Sequence, residues 1–309
     1  MNGRSPAVGI GAMVAASACF ATMDTTTRYL GAVMAVQLML WSRYTLHLVV
    51  MAAWIALDPR VRFATRHPRF QMLRGALLLA SSTQAFFGLQ HLPVAEFTAI
   101  VLLTPVLVTV LARWLLREAV SPLRWILVAG GFVGALIVIR PGSGLFGWAV
   151  LLPLGAAVTN ATFQVITTRL NSHGAQAGAD SALTTNFYTG LVGAAVLTPV
   201  LLASPVDVQA ALGAAPATQL ALLLAIGVLG TLGHLLLILS LGRAPTAVLM
   251  PFLYTQVGFA ALVGWLVFRH VPDFWAWVGM AVIAVCGAAS ALLNLGRREA
   301  PSPADTMPG

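Results

Sequence analysis

Two stretches of the chain, 152 residues apart, decide the fold: LRGALLLASSTQAFFGLQHLPVAEFTAI at 73–100 and AIGVLGTLGHLLLILSLGRAPTAVLMPF at 225–252. At this offset identical residues meet within the two stretches and, without a gap, beyond them. The pairs are Gly75 with Gly227, Leu89 with Leu241, Pro93 with Pro245, Ala95 with Ala247, Arg117 with Arg269 and Trp125 with Trp277. Nearer the start of each half the offset becomes 141, where TTTRYL at 25–30 matches ITTRL at 166–170. Self-similarity of this kind predicts an internal duplication.

The composition predicts a membrane protein. Of the 309 residues 59% are hydrophobic and 8% are charged, and the mean hydropathy is +0.89. A soluble domain carries about 25% charged residues and would have no way to bury this much apolar surface. The 17 basic residues, all arginine, lie between apolar runs rather than in one stripe, which argues against a nucleic-acid partner. Cys19 and Cys286 lie inside apolar runs and are expected to be free thiols.

A membrane-spanning helix needs about 20 mostly apolar residues. The sequence contains ten such runs, at 7–27, 34–57, 72–91, 94–116, 123–140, 145–167, 181–203, 217–240, 246–268 and 273–294. The first run continues to spanning length, so we expect it to serve as an insertion signal without being cleaved. The polar tail at 296–309 is expected to be disordered.

The duplication and the ten runs together predict an all-α integral membrane fold of two five-helix repeats, 7–142 and 145–295. Because five is odd, the second repeat enters the membrane upside down. With the N-terminus inside, thirteen arginines lie at cytoplasmic ends and only Arg28, Arg140 and Arg269 at outer ends. This bias predicts that both termini are cytoplasmic. Inverted repeats are typical of secondary transporters, whose substrate site lies near the midplane between the repeats.

The segment PVAEFTAIVLLTPVLVTVLARWLLREAVSPLRWILVAGGFVGALIVIRPG at 93–142 resembles the EamA repeat of the drug/metabolite transporter superfamily. That repeat has a proline before one helix, a proline within it, an Arg/Gly-Glu pair at its end and a glycine-rich helix after it. The matching residues are Pro93, Pro105, Arg117, Glu118, Gly130, Gly131 and Gly134. The second copy keeps Pro245, Arg269 and Trp277 but has His270 in place of Glu118. The resemblance covers 7–295 and implies a metabolite transporter.

The run MDTTTRYLG at 23–31 is similar to the first helix of a subgroup that includes S-adenosylmethionine and riboflavin importers.

Charged side chains in the middle of a span cost about 2.5–3.5 kcal/mol on insertion scales, so they usually face a cavity or a partner. Arg43, near the middle of the second run, is the leading candidate to bind substrate, and an ion pair with Asp24 is the structural alternative. His47 lies one turn further on the same face, as a proton carrier or a hydrogen-bonding group within the bundle. Trp41 and Tyr44 flank Arg43 and are candidates to stack on a flat ring, or else interface anchors.

Two carboxylates are candidates to couple transport to an ion. Asp24 lies in the last turns of the first run, where the helix dipole disfavours an acid and where Arg28 is one turn away. An acid at this unfavourable position is explained by a partner across the bundle or by the substrate. Glu96 lies one turn after Pro93, where an acid stabilises the helix N-terminus without any further function.

The second half offers neutral candidates for substrate binding, and amide side chains in spans also hold helices together. These candidates are Asn160, Gln164, Asn186, Tyr254 and Gln256. Four prolines are expected to break helices and to serve as hinges. They are Pro105, Pro153, Pro199 and Pro251.

The sequence favours a secondary transporter for a small organic metabolite that is amino-acid-like, nucleotide-like or flavin-like. A channel, a structural membrane protein and an intramembrane enzyme remain alternatives. The Gly-x-Gly-x-x-Gly match at 142–147 follows no strand, and we find no nucleophile motif and no metal spacing. We therefore expect no catalytic residue, no cofactor and no metal. The expected partners are the metabolite and membrane lipid in the cytoplasmic membrane of a bacterium, with a homodimer left open.

Overall fold

The computed structural model describes residues 6–59, 61–115, 122–140, 147–174, 181–243 and 252–298, and within these ranges the chain is helical, with no strand. The helices are α1 (Pro6–Leu30), α2 (Val36–Leu57), α3 (Pro68–His91), α4 (Val94–Val101), α5 (Thr104–Leu115), α6 (Pro122–Ile139), α7 (Leu151–Gly174), α8 (Ala182–Ala203), α9 (Val208–Gly213), α10 (Ala217–Arg243), α11 (Thr255–Phe268) and α12 (Phe274–Arg298). A 3₁₀ turn, Gly147–Val150, precedes α7.

The length and composition of these helices confirm an all-helical membrane protein. Within the described ranges, five helices can cross a bilayer: Ala7–Leu30, Val36–Leu57, Gly147–Ile166, Leu183–Ala203 and Ala217–Leu237. Four shorter apolar helices are Val94–Val108, Trp125–Ile139, Thr255–Phe268 and Phe274–Ala289. Large apolar side chains cover the outside of the bundle, among them Ile126, Leu224 and Val285. Such a surface is suited to lipid rather than water.

The helices of the first half pack mainly on those of the second. Helix α1 packs on α10 and α11, while α7 packs on α3, α4 and α5. Helix α3 packs on α8, and α2 on α10. The remaining large contacts join α2 to α8, α6 to α12 and α4 to α11. If the helices are matched by the duplication, α1 with α7, α2 with α8, α3 with α10, α5 with α11 and α6 with α12, the contact of α1 with α10 corresponds to that of α7 with α3, and the contact of α1 with α11 to that of α7 with α5. The contacts of α2 with α8 and of α6 with α12 are their own counterparts, and the contact of α3 with α8 corresponds to that of α10 with α2.

Glycines allow two of these contacts to be close. A methyl group at Gly134 on α6 would lie 2.9 Å from the carbonyl oxygen of Gly279 on α12, and one at Gly279 would lie 2.6 Å from the carbonyl oxygen of Gly134. Between α2 and α8, a methyl group at Gly193 would collide with the ring of Tyr44. Small residues that let helix backbones meet are typical of association in membranes, and here they fix the position of the Tyr44 ring.

The run predicted at 94–116 divides into α4 and α5 with a break at Leu102 and Leu103, as expected of the proline at position 105. Pro105 has no N–H to donate to the carbonyl of Val101. The Thr104 hydroxyl donates to that carbonyl instead, at 2.6 Å. In the second half the helical segment around 252–268 has a similar break at Tyr254, although no proline follows it there.

Pro153 and Pro199 do not break helices. Pro153 lies in the first turn of α7, where a missing N–H costs nothing, and Pro199 lies inside an uninterrupted α8. Pro251 lies outside the described residues. Helix α12 continues to Arg298, and the rest of the predicted tail also lies outside them.

Candidate functional site

Arg43 is buried in the middle of α2, at the boundary of the two halves. Its Nη1 donates a hydrogen bond to the Oγ of Ser82 on α3, at 3.1 Å. Its guanidinium faces the rings of Tyr44, at 5.5 Å, and Phe86, at 5.4 Å. A methyl group on Gly230 of α10 would lie 3.0 Å from its Nε, so the α10 backbone passes directly beside the side chain. Within the described part of the chain Arg43 forms only this one hydrogen bond, which leaves most of the five guanidinium donors for a ligand.

Ser82 holds the position of Arg43. Its Oγ accepts one hydrogen bond from Arg43 and a second from the hydroxyl of Tyr44, at 2.9 Å. The arginine and tyrosine are adjacent in sequence and are tied to one atom, so neither can turn without losing its bond. The sequence reasoning missed Ser82 and Phe86, because serine and phenylalanine are ordinary residues in a membrane helix.

Asp24 lies close to Arg43 but does not contact it. The carboxylate is buried in α1, and its charge interacts with that of Arg43. The described residues contain no ion pair and no hydrogen bond that involves the Asp24 carboxylate, so the direct ion pair that was the structural alternative for Arg43 is not formed. Nor does Asp24 pair with Arg28, whose Nη1 donates to the carbonyl of Leu89 at 3.2 Å and whose guanidinium faces the Phe268 ring at 5.3 Å.

His47 lies between three helices. Its Nε2 donates to the backbone carbonyl of Asn186 on α8 at 3.2 Å, so the neutral ring has its lone pair on Nδ1. The hydroxyl of Thr231 on α10 lies 3.4 Å from Nδ1 and can donate to it. His47 thus forms hydrogen bonds within the bundle, one of the two roles open to it from the sequence. Asn186 contributes its backbone to this contact.

His234, on α10, lies beside His47, with the ring centroids 6.4 Å apart. Its Nδ1 donates to the carbonyl of Gly230 at 2.8 Å, and its ring meets the edge of Phe20 at 5.0 Å. In the neutral ring the lone pair is therefore on Nε2. The part of the chain that the structure describes offers Nε2 no hydrogen-bond donor, so this atom is an acceptor for a ligand.

The remaining predicted ligands do not touch Arg43. Trp41 donates from Nε1 to the hydroxyl of Thr198, at 3.0 Å, and so ties α2 to α8 near the surface. Asn160 and Gln164 lie half-buried on α7. The hydroxyl of Tyr254 is buried without a hydrogen-bond partner among the described residues, and its ring packs against Gly287 on α12. Gln256, half-buried at the start of α11, is likewise absent from the contacts of Arg43.

A second polar cluster lies at the end of the bundle where α1 and α3 finish and α4 begins, which we call the outer end. Glu96 is 4% exposed in the first turn of α4. Its Oε1 lies 2.9 Å from the Nε2 of His270, after α11. A cavity of about 250 Å³ beside the pair is lined by His270, Arg28 and Phe268 among others. Glu96 therefore does more than stabilise a helix end, and its partner lies 174 residues away in the sequence.

Arg74 forms a third polar contact toward the opposite end. The arginine pattern of the sequence places Arg74 at a cytoplasmic helix end, yet its side chain is buried, with only 7% of the residue exposed. It donates to the carbonyl and hydroxyl oxygens of Thr185 and Thr189 on α8, at 3.2 and 3.4 Å respectively. Its guanidinium also faces the ring of Phe163 on α7, at 4.6 Å. Arg74 therefore joins α3 of the first half to α8 and α7 of the second half.

Comparison with known proteins shows the family. Residues 7–140 and 147–293 each match the EamA-like transporter family, so the chain belongs to that family. A riboflavin transporter of Rhizobium johnstonii is 31% identical over 224 residues, which cover 70% of this chain and 68% of that protein. One of Vibrio cholerae is 30% identical over 247 residues, covering 79% and 78%.

Two further matches show how far the similarity reaches. An S-adenosylmethionine uptake transporter of Rickettsia bellii is 24% identical over 279 residues, covering 87% of this chain and 88% of that protein. One protein crystal structure superimposes with a TM-score of 0.64 at 20% identity, over 96% of this chain and all of its own. That last likeness shows a shared fold. The relatives confirm the prediction of a metabolite transporter of the EamA family.

Proposed function

We propose that this protein is a secondary transporter whose cargo is a small, flat heteroaromatic metabolite, with riboflavin as the first candidate. The observation that carries the proposal is the Arg43 guanidinium, held by Ser82 against the rings of Tyr44 and Phe86 with most of its donors available. The names of the relatives point the same way, since three named for riboflavin are 28–31% identical and four named for S-adenosylmethionine are 23–24% identical.

The polar atoms of the site suit the edge of a flavin ring. That edge carries two carbonyl oxygens on either side of an imide N–H. Arg43 supplies donors for a carbonyl oxygen, and the Nε2 of His234 supplies an acceptor for the N–H. The rings of Tyr44, Phe86 and Phe20 supply the apolar surface on which a flat ring can pack.

Charge balance favours an uncharged cargo. Arg43 and Asp24 lie close enough for their charges to interact across the bundle. Riboflavin has no net charge and leaves that balance unchanged. An anionic cargo would compete with Asp24 for Arg43 and leave one negative charge without a partner in a region of low dielectric constant, which is costly.

A cationic cargo is the second candidate, because one observation favours it. Asp24 is buried and has no direct contact with a cation among the described residues. A sulfonium or ammonium group beside it would provide that contact. S-adenosylmethionine carries such groups together with an adenine ring, which can also pack on the aromatic side chains.

We propose that transport proceeds by alternating access between two inverted five-helix halves, with ten spans and both termini in the cytoplasm. The reciprocal helix contacts, such as α1 on α10 and α7 on α3, support this arrangement, as does the bias of arginine toward the predicted inner ends. In this proposal the coupling carboxylate is Asp24 or Glu96. Amide variants of both residues that still concentrated cargo under a pH gradient would exclude that role.

A ligand screen tests the proposal. The purified protein in detergent is heated with riboflavin, S-adenosylmethionine, amino acids and nucleotides, each alongside Arg43→Ala and the control Arg69→Ala. Arg69 is an exposed arginine at the start of α3. A ligand at 100 times its dissociation constant adds about 2.7 kcal/mol to the folded state. We expect riboflavin to stabilise the wild type and Arg69→Ala but not Arg43→Ala. Stabilisation by S-adenosylmethionine alone would favour the second candidate, and a riboflavin shift retained in Arg43→Ala would place the site elsewhere.

A further inference from the structure

Among the residues that the structure describes, two ion pairs join the halves of the molecule, and both are at the outer end. The Nε2 of His270 lies 2.9 Å from the Oε1 of Glu96. The Nη2 of Arg140 lies 2.6 Å from the Oδ2 of Asp273. In each pair one partner belongs to the first segment that matches the family, 7–140, and the other to the second, 147–293.

The two pairs belong to one continuous line of charged side chains. The charge of Arg28, at the end of α1, interacts with that of Glu96. The charge of Asp273 interacts with those of His270 and Arg140. From Arg28 to Arg140 the groups therefore alternate in sign when His270 is protonated, and they cross from one half to the other at each pair. Each group in this line is therefore attracted by its neighbours of opposite charge.

The location of this line of charged groups explains what it does. It joins the ends of α1, α4 and α6 in the first half to the segment between α11 and α12 in the second. His270 is both the partner of Glu96 and a wall of the 250 Å³ cavity between α4 and α11. Moving the halves apart at this end therefore requires that both ion pairs separate.

We propose that Glu96–His270 and Arg140–Asp273 form the outer gate of the transporter: they hold the outer ends of the halves together in this conformation, and they separate when the cargo site opens outward. The proposal rests on the proposed function, because a gate has meaning only in a carrier whose halves move. It assigns to His270, Asp273 and Arg140 a role in the transport cycle at a distance from the cargo.

The two pairs differ in strength. The side chains of Arg140 and Asp273 are 30% and 50% exposed, and such pairs change an equilibrium by about twofold to fivefold. The Glu96 side chain is only 5% exposed, and its second carboxylate oxygen has no hydrogen-bond partner among the described residues. Separating His270 from it leaves a buried carboxylate with no direct partner and only the charge of Arg28 nearby, so this pair is expected to change the opening equilibrium by more than tenfold.

Labelling of a cysteine from the outside measures the opening. Cys19 and Cys286 are replaced by alanine, and Ala261, which lines the cavity and is 8% exposed, is replaced by cysteine. Cells are then treated with a maleimide that does not cross the membrane, without cargo. We expect Glu96→Gln and His270→Gln each to raise the labelling rate more than tenfold, and Arg140→Gln to raise it about twofold to fivefold.

Two comparisons separate a gate from a general loosening of the protein. The double variant Glu96→Gln/His270→Gln is expected to label no faster than either single variant, since all three break the same pair. Arg269→Gln, at the neighbouring arginine that faces the Trp265 ring at 5.9 Å, is expected to leave the rate unchanged. Equal labelling of the wild type, Glu96→Gln and Arg140→Gln would overturn the proposal, as would an increase in Arg269→Gln as large as theirs. These rates are measured without cargo, so a failed riboflavin screen leaves their interpretation unchanged.

Discussion

Replacing Arg43 by alanine should weaken cargo binding strongly while leaving the bundle inserted in the membrane. A hydrogen bond from a charged donor contributes about 1.5–3 kcal/mol, so the loss of one such bond raises the dissociation constant roughly 10- to 150-fold. Two ring contacts, at 5.4 and 5.5 Å, lose their cation at the same time. The hydrogen bond between Tyr44 and Ser82 does not involve Arg43 and remains possible.

The assay is the initial rate of riboflavin uptake into proteoliposomes across a range of concentrations. Arg43→Lys keeps the charge but not the planar fork of donors, so it should fall between the wild type and Arg43→Ala. Arg69→Ala should behave as the wild type. A KM for Arg43→Ala within twofold of the wild type would refute the assignment of Arg43 to the cargo.

The same variant leaves Asp24 buried without a nearby positive charge. The double variant Asp24→Asn/Arg43→Ala removes that charge and should recover thermal stability in detergent, yet it should not recover cargo binding. Recovery of both would mean that Arg43 only balances Asp24. Loss of both would indicate a packing role that neither charge explains.

Three further predictions concern neighbouring features. Ser82→Ala should weaken uptake less than Arg43→Ala, and Ser82→Thr, which keeps a hydroxyl, should restore part of it; equal rates for Ser82→Ala and wild type would contradict the positioning role. Thr104→Val should lower the free energy of unfolding in detergent by about 0.5–1.5 kcal/mol, since it leaves the carbonyl freed by Pro105 without a donor; no change would mean that water satisfies this carbonyl. The hydrogen bond from the Ala276 backbone N–H and the charge of Arg140 lower the pKa of Asp273. Its stabilisation should therefore be present above its unfolded-state pKa of about 3.9 and fade below it, so the Tm difference between wild type and Asp273→Asn should shrink as the pH falls from about 5 to 3.

The sequence predicted well those features that depend on composition and on local chain geometry. The apolar runs place the helices, and Pro105 marks the division of α4 from α5 because a missing N–H leaves a carbonyl that only another donor can satisfy. The similar break at Tyr254 was not predicted, since no proline follows it.

In the candidate site the sequence identified the charged and ionisable residues, which are unfavourable in a bilayer, and missed the small polar residues that position them. Arg43 and His47 stand out because charged and ionisable groups are rare in a bilayer. Ser82 and Thr231 give no such indication, although they position both. Asn160 and Gln256 are equally conspicuous in sequence but lie outside the contacts of Arg43, because periodicity gives the face of a helix without saying which neighbour covers it.

Long-range pairing explains the remaining differences. Glu96 suits a helix N-terminus by itself, so nothing near it in the sequence predicts His270 as its partner. Asp24 and Arg28 are one turn apart, a spacing that favours an ion pair, yet Arg28 binds the Leu89 carbonyl of α3 instead. Local pairs of this kind contribute only about 0.2–0.5 kcal/mol, which a contact between helices easily exceeds.

The central claim is that this protein carries a flat heteroaromatic metabolite through a site at Arg43, and counterflow tests it most directly. Proteoliposomes are loaded with unlabelled riboflavin and diluted into a trace of labelled riboflavin. We expect the wild type and Arg69→Ala to accumulate label transiently above its equilibrium level, and Arg43→Ala to show no such overshoot. Entry of label without overshoot or saturation in the wild type would indicate a channel, and no entry at all would contradict riboflavin as the cargo.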